Sequence, residues 1–430
     1  MNKKGKFCLI LLLLVFLSGC KKGDNIPVIT IDSFWDNSLI NGSIDKNQRV
    51  YQEYQGWELG LSQITEFKIK ENKYSQGATN EENQQNIQAA VDKDKPVFIL
   101  GCSNNKASRQ AASVTNFMEI PMLIPFANGI YLRGDENTFT YRITPSTSTV
   151  SNYLFSQVFT SDLKQRLDNI LFPDKVVKDY DVHMGVLFED SSFSENSAII
   201  LTEAAMKAGL NISYYERVPS EKLQTEVQTL LKSIQDRDNK DIDLLFIIFE
   251  DSNLTLTPEI WRTSQNADFK KPLVFLVGNL NPSSYISDNP ALDNDFMTIN
   301  QDIDYSTCDP SITNSNSGFG YAAAKIAEKA IAKAIRSVPQ KTWLQKLLHT
   351  GISADDENEN MRGYISNELA NFHDTVPCIG DTSFSNTKTM NNLEKNIVIT
   401  LNSSKQNVSK DELIQKLAES IAYEMSHPNE

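Results

Sequence analysis

A short polar segment directly after an apolar run offers the clearest binding chemistry in the sequence. Gly101 ends the apolar run Val97–Leu100, and Ser103, Asn104 and Asn105 follow it. Hydroxyl, amide and backbone N–H groups at the start of a helix can bind a carboxylate or another polar group. The same side chains are also ordinary helix N-caps, and the two roles are compatible. We therefore expect Ser103 and Asn104 to contact a ligand.

Catalytic chemistry has no comparable signal. The sequence contains no G-x-S-x-G, no H-E-x-x-H, no P-loop and no G-x-G-x-x-G after a predicted strand. The histidines, His183, His349, His373 and His427, are too scattered along the chain to indicate a metal site. We expect neither an enzyme nor a bound metal or cofactor.

Composition and charge narrow the classes of protein. The chain has 430 residues, of which 40% are hydrophobic and 22% charged, and this excludes wholesale disorder and a polytopic membrane protein. The length predicts two or three domains. The 41 basic against 55 acidic residues give a net charge of −14. An acidic surface repels phosphate backbones, so nucleic acid is not an expected partner.

The N-terminus has the pattern of an export signal. Lys3, Lys4 and Lys6 lead into the apolar run Phe7–Leu17, and Leu17-Ser18-Gly19-Cys20 resembles a bacterial lipobox. The pattern predicts a signal peptide over 1–19, a lipid on Cys20 and a tether over 20–25, with the folded body outside the cytoplasm of a bacterium and anchored to the inner or the outer membrane. The alternative is an ordinary signal peptide with a chance cysteine.

Cysteine usage follows from that location. Once the signal is removed and Cys20 is lipidated, Cys102, Cys308 and Cys378 remain. Cys308 and Cys378 both lie in turn-like sequence and could pair in an oxidising compartment, whereas Cys102 lies beside a predicted strand and is expected to be a free thiol. Three unpaired cysteines are an equal alternative.

Strand-length apolar runs alternate with helical patterns along the chain. Several runs are apolar at nearly every position, which is typical of strands covered on both faces in a parallel sheet. The predicted strands are Val28–Ile31, Val97–Leu100, Pro121–Pro125, His183–Phe188, Leu244–Phe249 and Leu273–Val277. The predicted helices are Tyr51–Ile64, Ala198–Ala208, Leu223–Ile234, Tyr321–Ile335 and Asp411–Met425. Such alternation predicts an α/β fold.

Segments spread over much of the chain resemble one family. They are, in order, Ala89–Ser103, Ile120–Asn128, Tyr141–Ser146, Val182–Phe193, Lys207–Leu210, Asp243–Phe249 and Gly320–Ile335. Their order and spacing resemble type I periplasmic solute-binding proteins of the branched-chain amino-acid-binding kind. The resemblance covers about residues 26–345. It implies two lobes, each a mainly parallel sheet flanked by helices, joined by a hinge, with a small solute bound in the cleft between them.

The same resemblance implies a division of the chain. Lobe I is expected over 26–150 with a return segment at about 286–345, and lobe II over 151–285 with part of 346–400. The more polar stretch 401–430 is expected to be a C-terminal extension with a helix.

The resemblance also implies ligand contacts, each with a structural alternative. Asn128 stands where the family has a ligand-contacting threonine, but it is also a plausible turn asparagine before Gly129. Phe193 stands at the family's aromatic position, where its ring would pack on the ligand, but it could equally be a core phenylalanine. Ser192 beside it is expected to donate to a ligand oxygen. Glu250 is either a partner for a ligand cation or a solvent-facing loop acid.

One departure from the family concerns the ligand. Amino-acid binders carry an acidic residue in the turn that corresponds to Val277–Asn281, where this chain has no carboxylate and Asn279 is the expected ligand contact. A standard α-amino acid is therefore in doubt, because a buried ammonium without a charge partner is costly. In the long first loop, 32–47, Trp35 could reach the cleft, as could Arg49 just after it. Arg49 would favour an anionic ligand, and a surface arginine is its alternative.

The predicted function is a receptor of an ABC-type importer, with a small polar or anionic solute, amino-acid-like or a carboxylate, as ligand. Its expected protein partners are the importer's membrane subunits or a sensor protein. The alternative is an envelope lipoprotein that uses the same fold as a protein-interaction module, such as an activator of a peptidoglycan synthase, without transport.

Overall fold

The computed structural model describes residues 27–46, 48–129, 139–174, 180–223, 242–249, 273–278, 296–338, 354–384, 397–401 and 406–426. The predicted signal peptide, the predicted lipidation site Cys20, Glu250 and Asn279 lie outside the described residues, as do nearly all of the predicted helix at 223–234 and the side chain of Ser192.

The first sheet is built from the N-terminal part of the chain, and with its flanking helices it forms lobe I. Its strands are β1 (Val28–Trp35), β2 (Lys68–Ser75), β3 (Phe98–Leu100), β4 (Met122–Ile124) and β5 (Thr140–Arg142). They lie in the order β2-β1-β3-β4-β5, and all these pairs are parallel. β3 and β4 are buried at every position, as expected for central strands covered on both faces.

Helices on both faces bury this sheet. They are α1 (Asn37–Ile40), α2 (Arg49–Ser62), α3 (Asn80–Asp94) and α4 (Asn105–Phe117). Thr79 and Glu82 form a capping box that starts α3. On one face Phe34 and Ile99 pack in a core with α3 and α4, and on the other Trp35 and Trp57 belong to a larger core that includes α2.

After β5 the chain crosses to a second sheet at residues 143–146. The elements of lobe II that follow are α5 (Thr147–Tyr153), which continues as a π-helical turn over Leu154–Val158, then α6 (Leu163–Leu171), β6 (His183–Glu189), α7 (Ser192–Lys207), β7 (Asn211–Val218), β8 (Leu244–Ile248), β9 (Leu273–Val277) and β10 (Phe296–Gln301). β10 pairs in parallel with β9, so the chain leaves lobe II only after Gln301.

The next segment packs on lobe I. It contains α8 (Ser315–Ser337), α9 (Ala354–Ala370) and the antiparallel hairpin of β11 (His373–Val376) and β12 (Gly380–Ser383). Ile331, Ile365 and Phe372 lie in the same core as Trp57.

The last elements return to lobe II. They are β13 (Ile397–Leu401), β14 (Gln406–Asn407) and α10 (Lys410–Ser426), and the second sheet has the order β14-β13-β10-β9-β8-β6-β7. Leu413, Leu417 and Ile421 of α10 are buried in the lobe II core.

The boundaries between the lobes therefore differ from those expected. Residues 296–301 belong to lobe II rather than to the return segment, and 354–384 pack on lobe I rather than lobe II. The stretch after 401 is not an extension, because α10 completes the lobe II core. None of the helices in the described ranges is both long and apolar enough to cross a membrane.

Candidate functional site

The carboxyl ends of strands from both sheets meet at the crossovers between the lobes. Asn128 follows β4 and Gly278 follows β9, and the Asn128 Nδ2 donates to the Gly278 carbonyl oxygen at 3.0 Å. Ligands of open α/β sheets bind beyond the carboxyl ends of strands. A pocket with about 280 Å³ of empty space, partly open to solvent, lies here and is lined by Arg49, Glu53, Pro125, Phe126, Asn128, Thr144, Gln301, Asn316 and Phe319.

A buried ion pair forms one wall of this pocket. Arg49 and Glu53 lie one turn apart on α2, with Arg49 Nη1 2.8 Å from Glu53 Oε1 and side chains 5% and 4% exposed. The Nη2 of Arg49 donates to the Ser103 carbonyl oxygen at 2.8 Å. The Arg49 charge is thus compensated within the protein. Arg49 is not a surface residue, and its guanidinium is not an unpaired cation that would attract an anionic ligand.

Ser103 lies next to this pair but its donors point elsewhere. Its backbone N–H and its Oγ–H both donate to Gln76 Oε1, each at 3.0 Å, and both residues are buried. Asn104 is the N-cap of α4, where its Oδ1 accepts from the Ala107 N–H at 2.8 Å. Neither residue lines the pocket, and their ligand contacts remain predictions.

Asn128 lies in the pocket wall and ties several elements together. Its Oδ1 accepts from the side chain of Asn105 at 3.2 Å, and its backbone carbonyl accepts from the Thr147 N–H at 3.0 Å at the start of α5. Together with the bond to Gly278, these contacts place a lobe I loop against two elements of lobe II.

The two predicted aromatic contacts lie away from the pocket surface. Phe193 is 2% exposed and packs in the lobe II core, which is the alternative that the sequence left open. Trp35 is fully buried behind the wall, where its Nε1 donates to Ser33 Oγ at 3.0 Å and its ring packs on Phe126. The expectation that Trp35 reaches the cleft is wrong, because β1 extends through residue 35 and carries the ring into the core.

Several pocket residues were not predicted from the sequence. Thr144 lies on the first crossover, and Gln301 is the last residue of β10 at the second. Asn316 and Phe319 lie in the first two turns of α8, which begins after the N-cap Asn314. The sequence contains one signal for these residues, which is the position of Thr144 within the Tyr141–Ser146 motif. Gln301, Asn316 and Phe319 can be assigned to the pocket only from the three-dimensional fold.

Cys308 and Cys378 are joined in a disulfide with Cα atoms 4.7 Å apart. The bond links the turn at 305–308, just after the second crossover, to the turn of the β11–β12 hairpin. Cys102 is free and fully buried, and burial raises the pKa of its thiol above the ordinary range, so it is unreactive. Within the described ranges no group of three or more histidine, cysteine or acidic side chains could hold a metal ion.

The solved structures that this chain resembles share its fold. An extracellular ligand-binding receptor from Rhodopseudomonas palustris HaA2 superposes with a TM-score of 0.62 at 12% identity, over 89% of this chain and 99% of that one. A branched-chain amino acid transporter substrate-binding protein from Streptococcus pneumoniae, in complex with isoleucine, gives 0.58 at 11% identity, over 89% and 98%. A solute-binding protein of an ABC transporter from R. palustris BisB5, in complex with 3,4-dihydroxybenzoic acid, gives 0.59 at 11%, over 87% and 93%.

No protein-family model matches the sequence, and no curated protein matches it in sequence. The chain nevertheless has the two-lobed fold of the type I periplasmic binding proteins, as the sequence motifs predicted.

Proposed function

We propose that the protein is an extracytoplasmic solute-binding receptor that holds a small polar solute in the pocket between its lobes. The observation that carries the proposal is the pocket itself, which combines side chains of lobe I with Thr144 and Gln301 of the two crossovers. A ligand there contacts lobe I together with Gln301 of lobe II, and a ligand that contacts both lobes only when they are closed stabilises the closed arrangement.

The lining suits a small amphipathic solute. Asn128, Thr144, Gln301 and Asn316 line it with amide and hydroxyl groups, of which those of Asn128, Thr144 and Asn316 also form hydrogen bonds within the chain, and Phe126 and Phe319 offer apolar surface. Structural neighbours bind small solutes, such as isoleucine and 3,4-dihydroxybenzoic acid.

The proposal includes the location and partners of the receptor. The lipobox-like sequence that ends at Cys20 supports a lipid anchor, and the ABC-transporter neighbours support delivery of the solute to importer membrane subunits or to a sensor protein. The absence of catalytic motifs in the sequence and the neighbours' role as binding proteins support a protein that is not an enzyme.

A thermal-shift panel tests this function. The purified chain without residues 1–20 is heated with amino acids, short peptides, carboxylates, sugars and polyols. A receptor gains stability as RT ln(1 + [L]/Kd), which is about 2.7 kcal/mol at a concentration 100 times Kd. The proposal predicts a concentration-dependent rise in Tm with one class of these solutes, and no rise with any of them contradicts it.

A second function is favoured because charged and polar groups at the site already have partners within the chain. The enclosed space of the pocket is close to that of one water molecule and far below the usual range of about 300–1,000 Å³, and the polar groups of Arg49 and Ser103 already have partners within the chain. A protein-interaction module of the envelope would need no solute. Binding of a peptidoglycan synthase together with a flat thermal-shift panel would favour that function.

A further inference from the structure

The Ser103 loop already binds an oxygen atom, and that atom belongs to the protein. The backbone N–H and the hydroxyl of Ser103 converge on Oε1 of Gln76, both at 3.0 Å. Gln76 directly follows β2, and its own N–H donates to the Trp35 carbonyl oxygen at 2.8 Å, which continues the β1–β2 pairing and holds the residue in place. Gln76 and Ser103 are each 2% exposed.

Two donors that converge on one oxygen form an arrangement that also suits a carboxylate. Beyond its Cβ, the glutamine side chain has the shape of acetamide, and acetate has the same shape with a second oxygen in place of the nitrogen. A carboxylate oxygen is the stronger acceptor of the two. The Gln76 amide therefore occupies the place, and uses the donors, that a small carboxylate would need at this loop.

The neighbouring cation is compensated in the same way. Arg49 donates to the Ser103 carbonyl oxygen and is paired with Glu53, both at 2.8 Å. A carboxylate that approached the loop would have to displace Gln76 and would meet the Glu53 charge beside Arg49. Both features that attract anions are thus satisfied before a solute arrives.

We propose that Gln76 is a specificity-determining residue: its amide fills the carboxylate position of the Ser103 loop, which adjoins the pocket through Arg49, so that a solute in the pocket finds no donors for a carboxylate at this loop and uncharged polar solutes are favoured. This inference rests on the proposed solute-binding function and names its solute class. An uncharged solute uses the amide and hydroxyl groups of the pocket wall and leaves the Gln76–Ser103 contact intact.

Removal of the Gln76 amide tests this proposal with acetate as the probe. Gln76→Ala deletes an acetamide-shaped group and leaves the two Ser103 donors without their acceptor. Acetate should then raise the Tm, or the yield of folded protein if the variant folds only with acetate present, at about a tenfold lower concentration than wild type requires. Sodium chloride at equal ionic strength is the reference.

Three variants separate this explanation from a general salt or cavity effect. Gln76→Met fills the space without an oxygen and should not respond to acetate. Gln76→Ala with Ser103→Ala removes the hydroxyl donor and should lose most of the response. Gln63→Ala deletes the same atoms elsewhere in lobe I, where the amide oxygen accepts from the Tyr321 hydroxyl at 2.8 Å, and should respond like wild type.

The results distinguish this inference from the function on which it rests. Three results would overturn the role of Gln76. They are an equal acetate response of wild type and Gln76→Ala, no acetate response of either protein, and a response of Gln76→Ala that survives the added Ser103→Ala substitution. Wild type that binds uncharged solutes in the thermal-shift panel then keeps the receptor function. Wild type that binds no solute, with an acetate response in Gln76→Ala, keeps the role of Gln76 as the occupant of the loop and rejects the receptor. Wild type that binds carboxylates at the pocket more tightly than uncharged solutes overturns the proposed solute class.

Discussion

The side-chain amide of Asn128 in lobe I donates to the backbone carbonyl of Gly278 in lobe II at 3.0 Å. The Asn128 carbonyl also accepts from Thr147 N–H at 3.0 Å, so a single residue connects the end of β4 to two elements of the other lobe. Asn128 also lines the pocket, so the same residue contacts the space for a solute and forms a hydrogen bond between the lobes.

Asn128→Ala is expected to weaken closure of the lobes. It removes the bond to Gly278 and the bond from Asn105, and a buried hydrogen bond contributes about 1 kcal/mol. We expect a loss of about 1–2 kcal/mol in unfolding free energy and a larger radius of gyration in small-angle X-ray scattering. Asn105→Ala removes the bond to Asn128 Oδ1 and the bond from the Gly129 N–H, and it leaves the Asn128–Gly278 bond in place. An equal increase in radius for Asn105→Ala would contradict the interlobe role of Asn128.

The close approach of α2 and α8 is expected to depend on glycine. A Cβ at Gly56 would lie 1.8 Å from the Ser317 carbonyl oxygen, and one at Gly320 would lie 2.0 Å from the Glu53 carbonyl oxygen. These helices carry Glu53 and Asn316 of the pocket. Gly56→Ala should therefore cost about 1–3 kcal/mol or more, measured by urea unfolding.

Gly363→Ala is the matched control, because a Cβ at this position on α9 would meet no atom within 4 Å in the described part of the chain, apart from its own stretch of helix. Alanine is the better helix former, so this variant should gain up to about 1 kcal/mol. A Gly56→Ala protein as stable as wild type would show that the two helices separate without cost.

The parts of the fold that could be predicted are those whose sequence pattern reflects their burial. Leu273–Val277 is apolar at every position and forms β9 with the predicted ends, since both of its faces are covered. β2, with the sequence KIKENKYS, and β7 were missed because each is an edge strand with many exposed residues and shows no apolar run. β10 was missed as well, and this omission moved the boundary between the lobes.

The candidate site was harder to predict than the fold. Asn128 and Arg49 were named as candidates, and both line the pocket. Gln76 could not be recognised, because it follows an unpredicted edge strand and its role depends on a contact with Ser103 across 27 positions. Glu53 is separated from Arg49 by one helical turn, a spacing that the sequence does show, but burial of the pair depends on how α2 packs on α8.

Loss of the disulfide is expected to destabilise the region after the second crossover. Cys308 and Cys378 are 70 positions apart, and a cross-link that closes such a loop contributes about 4 kcal/mol by its effect on the unfolded chain. Cys308→Ser with Cys378→Ser should lower the Tm clearly. Dithiothreitol should lower the Tm of wild type and leave that of the double variant unchanged, and a reductant-insensitive wild type would contradict the prediction.

Stability is expected to fall as the pH rises, because of a buried acid on β1. Burial raises the pKa of Asp32 from 3.8 to about 7, although Asn72 donates to its Oδ1 at 3.0 Å. The folded state binds this proton more tightly than the unfolded chain does, so the stabilisation is complete below about pH 4 and is lost as the pH rises through 7. The shift corresponds to about 4 kcal/mol.

Asp32→Asn should remove this dependence. Asn keeps an oxygen for Asn72 and does not titrate, so the variant should gain more stability over wild type at pH 8 than at pH 4.5 in urea unfolding. Burial also raises the pKa of Glu71 to about 7, so the variant should keep part of the slope. Parallel stability curves for variant and wild type would contradict the assignment to Asp32.

The most direct test of the receptor function is isothermal titration calorimetry with the most stabilising solute of the panel. The account predicts one site per chain in wild type, at least tenfold weaker binding in Asn316→Ala, whose amide lines the pocket, and unchanged binding in Asn367→Ala, which removes an exposed amide on α9. Equal affinities in all three proteins, or no measurable heat with any solute, would contradict the claim that this pocket is the binding site.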